Sequence, residues 1–183
     1  MSRLSTVVAA TALVGFVLGG TATANAAVST TPADPIFAGN HRVVIKRTDA
    51  FESVLGVDPQ GRLVEIDGES PYDVFVLDPL GLDEYLIKTA DTQPDGTRAC
   101  LGLRNNGSNA LTVVATICDP NRAGQRFTIF EQKPDQSGDP TYAISSQSAF
   151  WLVSPTRGLI AEELGDATPQ TFQFVDNGPA DPA

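Results

Sequence analysis

Short runs of apolar residues alternate with turn residues along most of the chain. Beyond residue 40, twelve such runs are rich in branched and aromatic side chains and are bounded by Gly, Pro, Asn, Asp or Ser, which is typical of β-strands joined by turns. The best helical candidate, residues 158–164, is too short to be a stable helix by itself. We therefore predict an all-β chain with strands at 43–46, 53–57, 63–66, 74–77, 85–88, 99–103, 111–117, 126–130, 142–145, 150–153, 159–164 and 171–175.

The twelve runs divide into three sets of four that align with one another. Matching places hold isoleucine in the first run of each set, leucine in the second and phenylalanine in the fourth: Ile45, Ile87, Ile144; Leu55, Leu101, Leu152; Phe75, Phe127, Phe172. Self-similarity of this kind indicates a repeat architecture. We expect three pseudo-repeats of four strands over residues 41–175, with a flexible lead-in at 27–40 and a flexible tail at 176–183.

The first 26 residues follow a different pattern. Arg3 is the only charged residue before Asp34, residues 6–20 are apolar or small, and Ala24-Asn25-Ala26 forms a small-residue cleavage site. This combination predicts a secretory signal peptide and a secreted, extracellular protein. The alternative is a membrane anchor, which is disfavoured because the run is shorter than the roughly 20 residues of a membrane span.

The charge balance and the few His and Cys residues limit the classes of partner that we expect. The chain has 12 Lys and Arg against 22 Asp and Glu, a net charge of −10. Duplex nucleic acid and anionic membranes need basic patches, so we expect neither as a partner. One histidine and two cysteines cannot build a zinc ribbon or an iron–sulfur site, and we predict no metal and no cofactor. We also expect a monomer. We expect no enzymatic activity, because nothing in the sequence orients His41 as a general base.

The two cysteines are predicted to form a disulfide. Export would expose Cys100 and Cys118 to an oxidising compartment, where two cysteines in one small domain usually pair. Closing a loop of this size stabilises a fold by about 3 kcal/mol on chain-entropy grounds. A free nucleophilic thiol is the alternative, and it is disfavoured because the only histidine lies far away along the sequence.

The three sets of four strands resemble the β-trefoil, a fold with a six-stranded barrel capped by three hairpins. The middle set is similar to the ricin-type lectins of that fold, whose repeats carry a disulfide and a Gln-x-aromatic motif: Cys100-Leu101, Asn106-Gly107, Cys118 and Gln125-Arg126-Phe127, with an echo at Gln170-Thr171-Phe172. This resemblance implies carbohydrate binding. The chain departs from those lectins at the position of their sugar-binding Asp, which here is Gly102.

The two end sets resemble the mushroom-type serine protease inhibitors of β-trefoil fold. The matching segments are Gly39 to Ile45, Val54-Leu55-Gly56, Thr141 to Ile144, Phe150-Trp151 and Phe172-Gln173-Phe174. This resemblance implies a secreted protease as the partner and a rigid surface loop as the contact. We take protease inhibition as the main hypothesis and carbohydrate binding as the alternative.

Three loops combine a stiffening proline with an arginine. Such an arginine would fit the acidic specificity pocket of a trypsin-like protease, and a rigid loop loses little entropy on binding. Each loop could equally be an ordinary solvated turn. We narrowly favour the loop of Arg62, although Arg122 lies nearest the disulfide. The candidate protease-contacting residues are Pro59, Gln60, Gly61 and Arg62; Asn121 and Arg122; and Pro155, Thr156 and Arg157.

Asn106-Gly107-Ser108 fits the acceptor sequence for N-glycosylation. The same three residues are typical of a tight hairpin turn. The sequence leaves both interpretations open.

Overall fold

The computed structural model describes residues 34–50, 53–67, 72–92, 97–154 and 156–180. The predicted signal peptide, the first half of the lead-in, Pro155 and the last three residues lie outside the described residues. Within these ranges, no helix is both long and apolar enough to cross a membrane.

The regular structure of the described ranges is almost entirely β. It contains twelve strands and one single-turn 3-10 helix at Ala123–Gln125. Each predicted run lies on one strand, so the all-β prediction and the number of strands are confirmed. The strands are β1 (His41–Arg47), β2 (Ser53–Val57), β3 (Leu63–Asp67), β4 (Val74–Gly81), β5 (Glu84–Thr89), β6 (Ala99–Asn106), β7 (Asn109–Ile117), β8 (Phe127–Glu131), β9 (Tyr142–Ser146), β10 (Ala149–Ser154), β11 (Gly158–Glu162) and β12 (Phe172–Pro179).

Six of the strands close into a ring. Going round it, β1 pairs with β4, β4 with β5, β5 with β8, β8 with β9, β9 with β12, and β12 with β1, all antiparallel. The other six strands form the hairpins β2–β3, β6–β7 and β10–β11. A closed ring leaves its own strands without free edges. We call the end of the ring at the β4–β5 turn and the β8–β9 connection the open end.

The core lies inside the ring and under the hairpins. The repeated isoleucines and phenylalanines are all fully buried. In β10 the predicted register is off by one residue, because Trp151 is buried there while Leu152 is only half-buried. Trp151 packs edge-on against Phe127 at 5.2 Å and Phe172 at 6.2 Å between ring centroids. Since neighbouring residues of a strand face opposite sides, burying the larger Trp151 turns Leu152 away.

Both ends of the domain extend further than the sequence predicted. β12 runs to Pro179 rather than ending at Val175, because its last residues pair with the start of β1. Residues 34–40, predicted as flexible, form a hydrogen-bonded turn in which the Ala38 N–H donates to the Asp34 carbonyl at 3.0 Å.

Two further details differ from the sequence prediction. The His41 ring is held in one orientation, since its Nδ1 lies 2.8 Å from Oδ1 of Asp176. β11 is shorter than predicted and ends at Glu162, which pairs with Phe150 at the start of β10.

Candidate functional site

In the loop joining β2 to β3, residues 58–62, the Arg62 side chain folds back onto Asp58 of the same loop. Oδ1 of Asp58 accepts the backbone N–H groups of Gln60 at 2.9 Å and Arg62 at 2.8 Å, and Oδ2 accepts the Arg62 Nε–H at 3.0 Å. Burial acts to raise the pKa of Asp58, but these hydrogen bonds outweigh it and lower the pKa. The Gly61 carbonyl also accepts the Ala115 N–H at 2.7 Å, so the loop rests on β7. This loop has the geometry of a braced turn rather than a projecting tip.

The loop joining β10 to β11 also holds its arginine. Pro155 lies outside the described residues, and Thr156 is exposed. Arg157 forms a two-pronged contact with Glu162, in which Nη1 faces Oε1 and Nη2 lies 3.1 Å from Oε2. A guanidinium already paired in this way must first break its contact before it can enter another protein's pocket.

The third candidate loop follows the disulfide, and we call residues 117–125 the disulfide loop. Cys100 and Cys118 are bonded, as predicted, with their Cα atoms 4.8 Å apart. Gln125 is fully buried and ties the loop together, because its Nε2 donates to the Ile117 carbonyl at 2.8 Å and its Oε1 accepts the Asp119 N–H at 2.7 Å. Arg122 is exposed at the tip and forms no ion pair with any described residue.

Gly102 lies directly beneath Gln125. A Cβ atom at position 102 would come within 2.9 Å of the Gln125 Cγ, which is closer than real Cβ contacts allow. The position that carries Asp in ricin-type lectins therefore has no room for a side chain here while Gln125 braces the disulfide loop. A sugar-binding carboxylate at position 102, as in those lectins, is therefore incompatible with this arrangement.

The Asn106 amide is occupied by the hairpin turn. Its Nδ2 donates to the Ala110 carbonyl at 2.8 Å and to Oγ1 of Thr112 at 3.2 Å. Glycosylation would require this nitrogen, so the geometry favours the turn interpretation over the acceptor interpretation.

A cleft at the open end of the ring combines aromatic and acidic side chains, and the sequence analysis did not identify it. Its volume is about 510 Å³. The Phe37 ring packs against both tyrosines of the cleft, with centroids 5.1 Å from Tyr142 and 5.8 Å from Tyr85. Phe130 is 42% exposed, and its ring centroid lies 6.0 Å from that of Phe150. We call it the aromatic cleft, and it is lined by Asp34, Phe37, Asp83, Tyr85, Ile129, Phe130, Glu131 and Tyr142.

The aromatic cleft carries negative charge and neutral hydroxyl groups. Burial raises the pKa of Tyr142, and the nearby carboxylates of Glu131 and Asp34 raise it further. Burial and the charge of Asp83 act in the same direction on Tyr85. Both phenols therefore stay protonated at neutral pH and can donate hydrogen bonds. In the described part of the chain, no group of three or more His, Cys, Asp or Glu residues is arranged to hold a metal ion.

The residues of the aromatic cleft are dispersed along the sequence, which explains why a scan for local motifs missed them. Asp34 and Tyr142 are separated by most of the domain, and Phe130 is simply the last residue of the predicted strand 126–130. One signal was available. Tyr85 and Tyr142 both open the first run of their sets, so the repeat alignment already placed two tyrosines at equivalent positions.

Solved structures resemble this chain in fold. A structure described as the BEL beta-trefoil has a TM-score of 0.55 at 20% identity, covering 74% of this chain and 92% of that one. The Polyporus squamosus lectin bound to the epitope Neu5Aca2-6Galb1-4GlcNAc has a TM-score of 0.55 at 16% identity, covering 74% of this chain and 49% of that one. The water-soluble chlorophyll protein of Brassica oleracea var. Botrytis has a TM-score of 0.51 at 14% identity, covering 74% and 90%.

These likenesses define the fold as that of the β-trefoil proteins. At such identities they show the fold alone. No protein-family model and no curated protein matches the chain.

Proposed function

We propose that this protein is a secreted, non-enzymatic carbohydrate-binding protein and that its ligand occupies the aromatic cleft. The observation that carries the proposal is the lining of the cleft, which combines Phe130, 42% exposed, with two tyrosines and three carboxylates. The C–H faces of a sugar ring pack against aromatic rings, while carboxylates and phenols satisfy its hydroxyl groups. Ligand sites generally combine an apolar wall with a few convergent polar groups in this way.

Two observations support carbohydrate binding over protease inhibition as the main function. One of the three solved structures named above is a lectin bound to a glycan, and none of those three is described as an inhibitor. Two of the three candidate arginines are already paired, Arg62 with Asp58 of its own loop and Arg157 with Glu162 at the end of β11. The alternative raised by the sequence is therefore the better supported of the two.

Binding of the full chain to a glycan array tests the proposal, followed by titration of the best ligand against variants. Phe130→Ala removes the exposed ring and is expected to weaken binding by about fivefold or more, since aromatic stacking of this kind is worth about 1 kcal/mol or more. Ile117→Ala is the matched control, because Ile117 is 86% exposed but belongs to the disulfide loop. Wild-type protein that binds no glycan, or a Phe130→Ala variant that binds as well as wild type, would contradict the proposal.

Protease inhibition through the disulfide loop is the second candidate function. It rests on Arg122, whose side chain is exposed without an ionic partner among the described residues, on a loop braced by Cys118 and Gln125. Titration against a trypsin-like protease tests it, with Arg122→Ala expected to abolish inhibition and Arg62→Ala to leave it unchanged. Absence of inhibition at micromolar protein would remove this candidate.

We also infer export and a three-fold organisation. The disulfide is compatible with an oxidising compartment, and peptide mapping of protein from the culture medium tests cleavage after Ala26.

The pairings β1–β4, β5–β8 and β9–β12 each close one set of four strands, and each set contributes one hairpin, which supports the three-fold organisation. Superposition of the three sets in an experimental structure tests whether they are pseudo-repeats.

A further inference from the structure

The carboxylates of the aromatic cleft have no basic partner among the described residues. Elsewhere, seven carboxylates form ion pairs with Arg, Lys or His side chains: Asp49, Asp58, Glu65, Asp78, Glu84, Glu162 and Asp176. Asp34, Asp83 and Glu131 form no ion pair with any described residue, and no basic side chain lines the cleft. The cleft therefore has an uncompensated negative potential.

A turn holds one of these carboxylates in place. Leu82 and Asp83 both have positive φ, at 44° and 61°, which gives the β4–β5 connection the geometry of a tight hairpin turn. The Asp83 carbonyl accepts the Ile129 N–H at 3.2 Å, which ties the turn to β8. The backbone of Asp83, a residue that lines the cleft, is thus anchored to β8.

The chemistry of the cleft matches an organic cation better than a metal ion. Its carboxylates are not grouped as metal ligands within the described ranges. Its wall consists of aromatic rings, whose faces attract ammonium groups. A cleft lined by charge of one sign also concentrates ligands of the opposite sign.

We propose that the aromatic cleft selects glycans that carry protonated amino groups, such as oligomers of 2-amino-2-deoxyglucose, over their N-acetylated and acidic counterparts. This inference rests on the proposed function. Sugar rings stack on Phe130, and the ammonium group lies among the carboxylates of Asp83, Glu131 and Asp34. The same carboxylates repel sialylated glycans.

Calorimetric titration of the full chain with a glucosamine oligomer and with the N-acetylated oligomer of equal length tests the selection. We expect the amino form to bind about tenfold more tightly at low salt, a difference that shrinks as added salt screens exposed charges. The preference also disappears at a pH high enough to deprotonate the amine, where the carboxylates remain ionised.

Single variants identify the charges responsible. Asp83→Asn and Glu131→Gln are each expected to reduce affinity for the amino form about threefold, with little effect on the acetylated form, as is typical for exposed charges. Asp91→Asn is the matched control, because Asp91 is exposed beyond the opposite end of β5. Unchanged near-ultraviolet circular dichroism establishes that each variant is folded.

The outcomes separate this inference from the proposed function. Equal binding of both oligomers with a continued requirement for Phe130 would overturn the amine selection and leave carbohydrate binding intact. Absence of binding to any glycan would remove both. Oligolysine that competes as well as the glucosamine oligomer would show a site for basic peptides and would overturn the selection for amino sugars.

Discussion

Two loops of this protein share a sequence pattern and differ in what they do with their arginine. Residues 58–62 and the disulfide loop each contain an Asp-Pro pair whose Asp Oδ1 accepts the N–H two residues later, from Gln60 and Asn121 respectively, both at 2.9 Å. In the first loop the arginine follows its Asp by four residues and folds back onto it. In the disulfide loop it follows by three, and Gln125 supplies the brace instead. The two loops thus differ by one residue in the spacing from Asp to Arg. Arg62 is paired with the Asp of its own loop, whereas Arg122 forms no ion pair with a described residue.

Among the features that distinguish the two loops, the disulfide is expected to contribute most to the free energy of unfolding. Cys100→Ala combined with Cys118→Ala should lower the free energy of unfolding by about 3 kcal/mol, because the reduced chain regains loop entropy when it unfolds. Denaturant unfolding of the oxidised protein and the double variant measures it. A loss under about 1 kcal/mol would mean that the loop is braced mainly by Gln125.

Gln125→Ala tests the second brace. It removes both hydrogen bonds to the loop backbone and leaves a gap above Gly102, so we expect a loss of about 2 kcal/mol. Gln60→Ala is the matched control, since Gln60 is exposed and should change stability by less than about 0.5 kcal/mol. Equal effects of the two substitutions would show that burial of Gln125 does not matter.

Asp58→Ala should cost about 1 kcal/mol, because Asp58 serves three donors in its loop. Asp119→Ala should cost less, because the Asp119 carboxylate accepts only the Asn121 N–H among the described residues. Thermal unfolding compares the two variants, and a larger loss at Asp119 would contradict the expected order.

The lowered pKa of Asp58 adds a pH dependence to the same comparison. The stabilisation is complete above its unfolded-state pKa of 3.8 and is lost as the pH falls through the lower folded-state value. The stability difference between wild type and Asp58→Asn should therefore shrink on acidification below that range. A constant difference would indicate that the Asp58 charge contributes nothing.

The arginines should show the smallest effects. Arg62→Ala breaks a half-exposed ion pair and should cost about 0.5 kcal/mol, while Arg122→Ala should leave stability unchanged. Unfolding curves measured together resolve this difference. A destabilising effect of Arg122→Ala would reveal a partner that the arginine lacks in the described part of the chain.

Features that depend on residues close together in the sequence could be predicted, whereas features that depend on contacts between distant segments could not. The strands and the disulfide follow from alternation and compartment. The register error at Leu152 arose because alignment by residue type cannot tell which face of β10 is inward. The strand ends at Pro179 and the packing of Phe37 depend on pairing partners distant in the chain.

The sequence by itself determined the class of structure, because apolar alternation and turn residues act over a few positions. Only the tertiary structure decided where a ligand could bind. It brought Asp34, Asp83, Glu131 and Phe130 to the lining of one cleft, and it filled the space above Gly102 with Gln125. Both results depend on contacts across the closed ring or between strand and loop, whose distances no local pattern specifies.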